Sequence, residues 1–319
     1  MKRLLTIFLT LLLTVSLLPA GLAIAETEGD YEYTVENGEA TITRYTGAGG
    51  DITIPSTLGG YPVTSIGDEA FWGCRSLTSV TIGNGVTSIG DYAFYHCTSL
   101  ASVTIGNGVT SIGEWAFTFC SSLTSVEVES NNPSYMDIDG VLFNKNGTTL
   151  IKYPEGKTAS SYTIPAGVTS IGDSAFDQCD SLTSVVIPDS VISIGYAAFQ
   201  SCDSLTSVTI PNSVTSIGGW AFNLCDSLTS IEIPASVTFI GESPLSQCDR
   251  LTSIEVAENN PNYKDVNGVL FDKAGSVLIQ YPAGKPETEY TVPNGVVSIG
   301  TWAFFGCDYL ASGTIPNSV

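Results

Sequence analysis

Between Leu100 and Cys120 apolar and polar residues alternate in an order that predicts a compact turn of chain. Val103 and Ile105 alternate with Ser102 and Thr104, the pattern of a short strand with one buried face. Asn107-Gly108 then turns the backbone. Val109 and Ile112 point inward again, and Gly113 ends that segment. Ala116, Phe117 and Cys120 fit one helical or 3₁₀ turn packed inward, and Leu100 completes the apolar set.

The same order returns along the chain. Ile66-Gly67 recurs as Ile89-Gly90, Ile112-Gly113, Ile171-Gly172, Ile194-Gly195, Ile217-Gly218, Ile240-Gly241 and Ile299-Gly300. Ala-Phe precedes the Cys seven times, as in Ala93-Phe94 and Ala221-Phe222, and Pro244-Leu245 is the exception. The eight cysteines, Cys74, Cys97, Cys120, Cys179, Cys202, Cys225, Cys248 and Cys307, are spaced by 23, 23, 59, 23, 23, 23 and 59 residues. A fixed period of this length, rich in Leu, Ile and Val, is the mark of a solenoid. One such turn cannot bury its apolar groups alone, so stability comes from stacking turn on turn, with strands about 5 Å apart in a parallel sheet.

Each long interval exceeds the period by 36 residues of related content. Asn131-Asn132-Pro133, Gly140-Val141-Leu142-Phe143, Lys145, Gly147, Leu150-Ile151 and Tyr153-Pro154 recur 128 residues later. There they read Asn259-Asn260-Pro261, Gly268-Val269-Leu270-Phe271, Lys273, Gly275, Leu278-Ile279 and Tyr281-Pro282. Each insertion reads as a hairpin, turning at Asn146-Gly147 or Ala274-Gly275 and widening the sheet. Ahead of the first Cys, Tyr31 to Val35, Asn37-Gly38 and Ala40 to Thr43 predict another hairpin, expected to cap the first turn. The chain ends midway through a turn at Pro316-Asn317-Ser318-Val319. That ending implies a fragment, or a last core face covered by something else.

Met1-Lys2-Arg3, the apolar run Leu4 to Leu18 and the small-x-small pattern Ala23-Ile24-Ala25 read as a secretory signal peptide over 1–25. No later apolar run is long enough to span a bilayer. The expected organisation is therefore 1–25 signal peptide, 26–62 hairpin cap and lead-in, and 63–319 solenoid. The fold expected is an α/β, β-rich solenoid of one elongated domain, exported to the medium or the cell surface as a monomer.

Charge narrows the function. Lys+Arg number 11 against 32 Asp+Glu, a net charge of -21, and removing Lys2 and Arg3 leaves 9 against 32, or −23. Such a chain repels phosphate backbones, which argues against nucleic-acid binding. One histidine, His96, cannot build a His-rich metal site. With 13% charged and 43% hydrophobic residues the chain has ample apolar surface to bury and is not disordered.

Several residues invite chemistry. Eight cysteines in an exported chain suggest disulfides, but a single stacked column leaves their side chains parallel and poorly posed for the S–S dihedral. A ladder of buried thiols is the alternative. His96 beside Cys97 looks like a nucleophile pair, yet adjacent residues in a strand or tight turn point apart. Asp180, Asp203, Asp226, Asp249 and Asp308 each follow a Cys. They cap local turns or, less simply, collect calcium. Neither a catalytic residue, nor a cofactor site, nor a metal site emerges. On the strand side Ser79, Ser102, Ser125, Ser184, Ser207, Ser230 and Ser253 form one column. On the opposite side Trp72, Tyr92, Tyr95, Trp115 and Phe119, with Trp220 and Trp302 further on, occupy variable slots. Aromatics of this kind serve as interface anchors, which makes these seven the candidate contacts for an extracellular protein or glycan.

The tandem VTSIGxxAFxxCxSLTSVxIP, read from Val86 through Pro211, resembles the BspA-like, or Treponema-type, leucine-rich repeats. The two Asn-Asn-Pro insertions and the Gly60 to Gly67 lead-in resemble that family too. The resemblance covers about residues 31 to 319. It implies a right-handed leucine-rich-repeat solenoid without shared catalytic residues. It further implies a bacterial or protist surface or secreted protein, several such proteins being adhesins for host matrix or other cells. The expected function is non-enzymatic binding in adhesion or recognition of host, matrix or neighbouring-cell components. The alternative is a structural spacer or envelope component.

Overall fold

The repeating strand residues build two parallel stacks. In a computed structural model, which describes residues 25–319, the strand Ser102–Ile105 lies between Leu77–Ile82 and Ser125–Val128. Its register is that of the repeat: Ser102 faces Ser79 on one side and Ser125 on the other. A second stack runs through the Ser-Ile pairs, Ser65-Ile66 against Ser88–Ile89 and then Ser111–Ile112. It resumes as Ser170–Ile171, Ser193–Ile194, Ser216–Ile217 and Phe239–Ile240. Each coil thus gives one strand to each stack and closes through a third, turn-built side. The expected signal peptide, Ala25 apart, lies outside the described residues.

That third side corrects the expected helical content, and with it the α/β label: among the described residues there is no helix. Its Ala-Phe-x-x-Cys segment is a run of turns bonded to the next coil. The N–H groups of Glu69, Phe71 and Gly73 donate to the carbonyls of Asp91, Ala93 and Tyr95 at 2.9, 2.8 and 2.8 Å. Those of Tyr92, Phe94 and His96 donate in turn to Glu114, Ala116 and Thr118 at 2.9, 2.8 and 3.0 Å. A helix would spend these donors within its own segment. Left-handed backbone at Tyr92 (φ 55°) and His96 (φ 63°), and again at Trp115 and Phe119, breaks the helical run and aims the donors outward.

The insertions contain more than a hairpin. Tyr135–Ile138 pairs antiparallel with Val141–Asn144, which pairs with Thr149–Lys152. Thr149–Lys152 then joins the second stack in parallel with Ser170–Ile171. Each insertion therefore carries an additional coil without a cysteine, and Tyr153 fills its phenylalanine slot, 5.3 Å from Phe176. The second Asn of Asn-Asn-Pro explains the motif. Buried Asn132 donates from Nδ2 to the carbonyls of Gly106 and Val109, and its Oδ1 accepts the N–H groups of Ser134 and Tyr135. Asn260 repeats this with Pro234, Val237, Asn262 and Tyr263. At the N-terminal end Tyr31–Glu36 pairs antiparallel with Glu39–Tyr45, which continues in parallel onto Tyr61–Ile66.

The core is columnar. Tyr45, Phe71, Phe94 and Phe117 stack at 5.1, 4.8 and 5.4 Å between ring centroids. Phe176, Phe199 and Phe222 continue at 4.8 and 5.2 Å. Beside them all eight cysteines are free thiols. Seven of them, Cys74 being the exception, donate the S–H to the carbonyl one coil back, as Cys97 to Phe71 at 3.1 Å and Cys202 to Phe176 at 3.0 Å. Burial pushes the Cys97 and Cys248 thiols up to about 12, which keeps them from reacting as thiolates. Titration with a thiol reagent is expected to count eight thiols in denaturant without reductant and only the part-exposed Cys74 and Cys307 readily in the native chain. Fewer than eight in denaturant would mean disulfides.

Candidate binding surface on the turn side

Residue-by-residue freedom on the turn side comes from its geometry. In several coils the slots on either side of the buried Ala-Phe reach the surface, although Thr118, Asp177 and Asn223 in such slots are buried, and neighbouring coils bring equivalent slots side by side. Trp72 lies 5.7 Å from Tyr92 and 4.5 Å from Tyr95. Tyr92 lies 5.2 Å from Trp115, and Tyr95 lies 4.9 Å from Phe119. Five of the seven candidates therefore form one cluster. Trp72 is exposed, while Tyr92, Tyr95, Trp115 and Phe119 are half-buried between turns.

Trp220 joins the cluster through a residue the sequence reading passed over. Tyr196 sits 6.4 Å from Trp115 and 6.0 Å from Trp220, stacked on both. It stands two residues after Ile194, where other coils have Asp68, Asp91, Glu114 and Asp173. That departure from an acidic column was the available signal. Between Trp115 and Tyr196 the slot holds Ser174, too small to fill it, and a cavity of about 170 Å³ opens among Trp115, Leu142, Ile151, Lys152 and Ser174. The run ends at Trp220. Trp302 lies apart and pairs instead with Phe305 at 4.5 Å.

The acidic column bordering this run is tied into the backbone. Asp68 Oδ1 accepts the Asp91 N–H at 2.9 Å, and Asp91 Oδ1 accepts the Glu114 N–H at 2.8 Å. The Asp residues behind the cysteines behave differently. Burial, then repulsion from Asp203, raises Asp180, while the Asp203 backbone N–H opposes the shift. His96 and Cys97 point apart as expected: the imidazole stacks on Phe119 at 5.1 Å, while the thiol bonds inward to Phe71.

Next to Phe119 lies a buried charged trio that sequence reading missed. Lys152 Nζ meets Glu155 Oε1 at 2.8 Å, and the same oxygen accepts the Phe119 N–H at 3.0 Å. Asp177 is buried beside them, 3% exposed. Burial, with the Glu155 charge, pushes its carboxyl up to about 7 against the pull of Lys152. Burial alone lowers the Lys152 ammonium, but Glu155 and Asp177 reverse that and hold it above its ordinary value. The second insertion has the neutral set Gln280, Ala283 and Phe305 at the equivalent positions. There Gln280 bonds the Ala303 carbonyl and the Ser246 hydroxyl.

Stacked parallel strands, an in-register apolar core and an exposed turn side define a leucine-rich-repeat solenoid. A family model for the BspA type leucine rich repeat region matches residues 50–160, 153–271 and 284–319, and the chain belongs to that family. Among solved structures it is similar to a leucine rich cell surface protein from Faecalibacterium prausnitzii, at 36% identity and a TM-score of 0.50, over 94% of this chain and 72% of that one. It is also similar to a leucine-rich repeat protein from Bacteroides ovatus (25% identity, TM-score 0.53, 92% and 77% covered). A likeness in fold extends to the pneumococcal vaccine antigen PcpA (19%, 0.54, 93% and 86%). No curated protein matches the chain. No helix among the described residues is long and apolar enough to cross a membrane.

Asp177 makes the pH dependence of stability testable. A carboxyl with a folded value above its unfolded one binds more protons when folded, so stability falls as pH rises from 3.8 through about 7. Asp177→Asn is expected to raise the melting temperature at pH 8 by several degrees and to flatten the decline between pH 5 and pH 8. Calorimetry of both chains checks this, and an equal loss of stability at both pH values would contradict it.

Proposed function

We propose that the chain is an exported, non-enzymatic binding protein of the bacterial surface. In this reading residues 1–25 are removed, 26–62 lead into the repeats, and 63–319 act as a monomeric solenoid. It takes part in adhesion or recognition of host, matrix or neighbouring-cell components. The observation that carries the reading is the aromatic run from Trp72 through Tyr92, Trp115 and Tyr196 to Trp220. A run of large aromatics spanning several coils, exposed at Trp72, Tyr196 and Trp220 and half-buried at Tyr92 and Trp115, is more than core packing requires, and such residues dominate binding energy at interfaces. Membership in a family with a cell-surface relative supports the location.

Surface-immobilised chain is expected to bind at least one extracellular-matrix protein or cell-surface glycan saturably. The double substitution Tyr196→Ala with Trp220→Ala is expected to weaken that binding about tenfold or more while leaving the circular dichroism unchanged. Unsaturable binding throughout, or an unaffected double variant, would favour a structural spacer.

A further inference from the structure

At the N-terminal end of the aromatic run lies a cavity of about 690 Å³, the size of a small-molecule cleft. Its walls are the end of the strand Glu39–Tyr45, the loop from Thr46 to Gly49 and the first turn from Asp68 to Leu77. Arg44 and Arg75, two of the three arginines beyond the N-terminal segment, both line it. The ion pairs among the described residues are Lys152–Glu155 and Lys285–Glu287. Neither cavity arginine is therefore paired, in a chain where acidic residues outnumber basic ones 32 to 11. The Arg44 charge reaches the cavity wall: burial pushes the Cys74 thiol up, and Arg44 opposes it.

The loop is fitted to the turn it faces. Gly50 N donates to the Ser76 carbonyl at 2.8 Å. A Cβ on Gly49 would fall 2.4 Å from the Ser76 backbone, and that residue has φ +91°. Glycine is thus required for this wall to stand where it does. At the rim Trp72 is 46% exposed. Asp68 and Glu69 share its side of the cavity.

These groups select a ligand. Guanidinium groups hold carboxylates through paired, charge-assisted hydrogen bonds. An exposed indole covers the apolar face of a sugar ring, and Glu69 with the remaining oxygen of Asp68 accepts from hydroxyls. A neutral sugar would leave both arginines unused. An acidic peptide would offer neither a ring face to Trp72 nor the array of hydroxyls that Asp68 and Glu69 accept from. We propose that this cavity binds an acidic sugar, a uronic or sialic acid residue presented on a glycan. The site shares Trp72 with the aromatic run, and its specificity rests on Arg44 and Arg75, outside that run.

Titration calorimetry of the full chain tests this with sialyllactose, oligogalacturonate, lactose and an oligoglutamate peptide. Sialyllactose or oligogalacturonate is expected to bind saturably, at least tenfold more tightly than lactose or oligoglutamate. Arg44→Gln with Arg75→Gln is expected to weaken that binding tenfold or more without moving the melting temperature. Tyr196→Ala with Trp220→Ala is expected to leave it intact. No binding of either acidic sugar, equal binding of lactose or oligoglutamate, or full binding by the arginine variant would overturn the proposal. Capture of a partner that depends on Tyr196 and Trp220 would still stand in each of those cases.

Discussion

The structure depends on hydrogen bonding between coils. Every side of a coil hands backbone donors to its neighbour: the two strand stacks through ladder bonds, the turn side through alternate N–H groups such as those of Tyr92, Phe94 and His96. A buried backbone group without a partner is costly, so no coil is satisfied until the next is in register. The stacked phenylalanines, the thiols bonded one coil back and the paired serines, as Ser88 to Ser65 at 2.8 Å, follow from that register. Sequence repetition is its consequence, because a column places like residues in like surroundings.

Most of this was legible because the period is written in residues with unambiguous geometry. Ser-Val against Ser-Val and Ile-Gly against Ile-Gly give register directly, and the Asn-Gly turns divide the strands. The turn side was misread as helical because Ala-Phe-x-x-Cys has apolar spacing that one helical turn and a run of β-turns share. Left-handed backbone at Tyr92, His96, Trp115 and Phe119 is not announced by glycine. The additional coil within each insertion was hidden because Tyr153 and Tyr281 stand where Ala-Phe and Cys were sought. Lys152 and Glu155 belong to no motif in the sequence, and only packing against Asp177 makes them a buried trio. Of the candidate contacts, adjacency joined those on neighbouring coils. Tyr196 needed the three-dimensional gap over Ser174.

The internal duplication works as a comparison within one molecule. Two segments offset by 128 residues share the asparagine that closes a coil, the hairpin and the core tyrosine. They differ where side chains face the turn side. Lys152, Glu155 and Asp177 become Gln280, Ala283 and Phe305, and Trp115 becomes Ser243. The scaffold is copied while its chemistry diverges, and the aromatic run stops at Trp220.

The left-handed slots on the turn side have an evolutionary corollary. Conformational preference there runs against every side chain by about 1 kcal/mol and in favour of glycine. Tyr92, Trp115, Trp220, Ala197 and Ser243 nevertheless all occupy one such column with φ between 51° and 58°. The main-chain N–H groups of Tyr92, Ala197 and Trp220 bond the next coil although the side chains they carry differ. Exchanging one of these side chains for another therefore changes what the surface displays and leaves the architecture unaltered. The column behaves as a set of interchangeable sockets, through which ligand preference can drift while the scaffold stays the same.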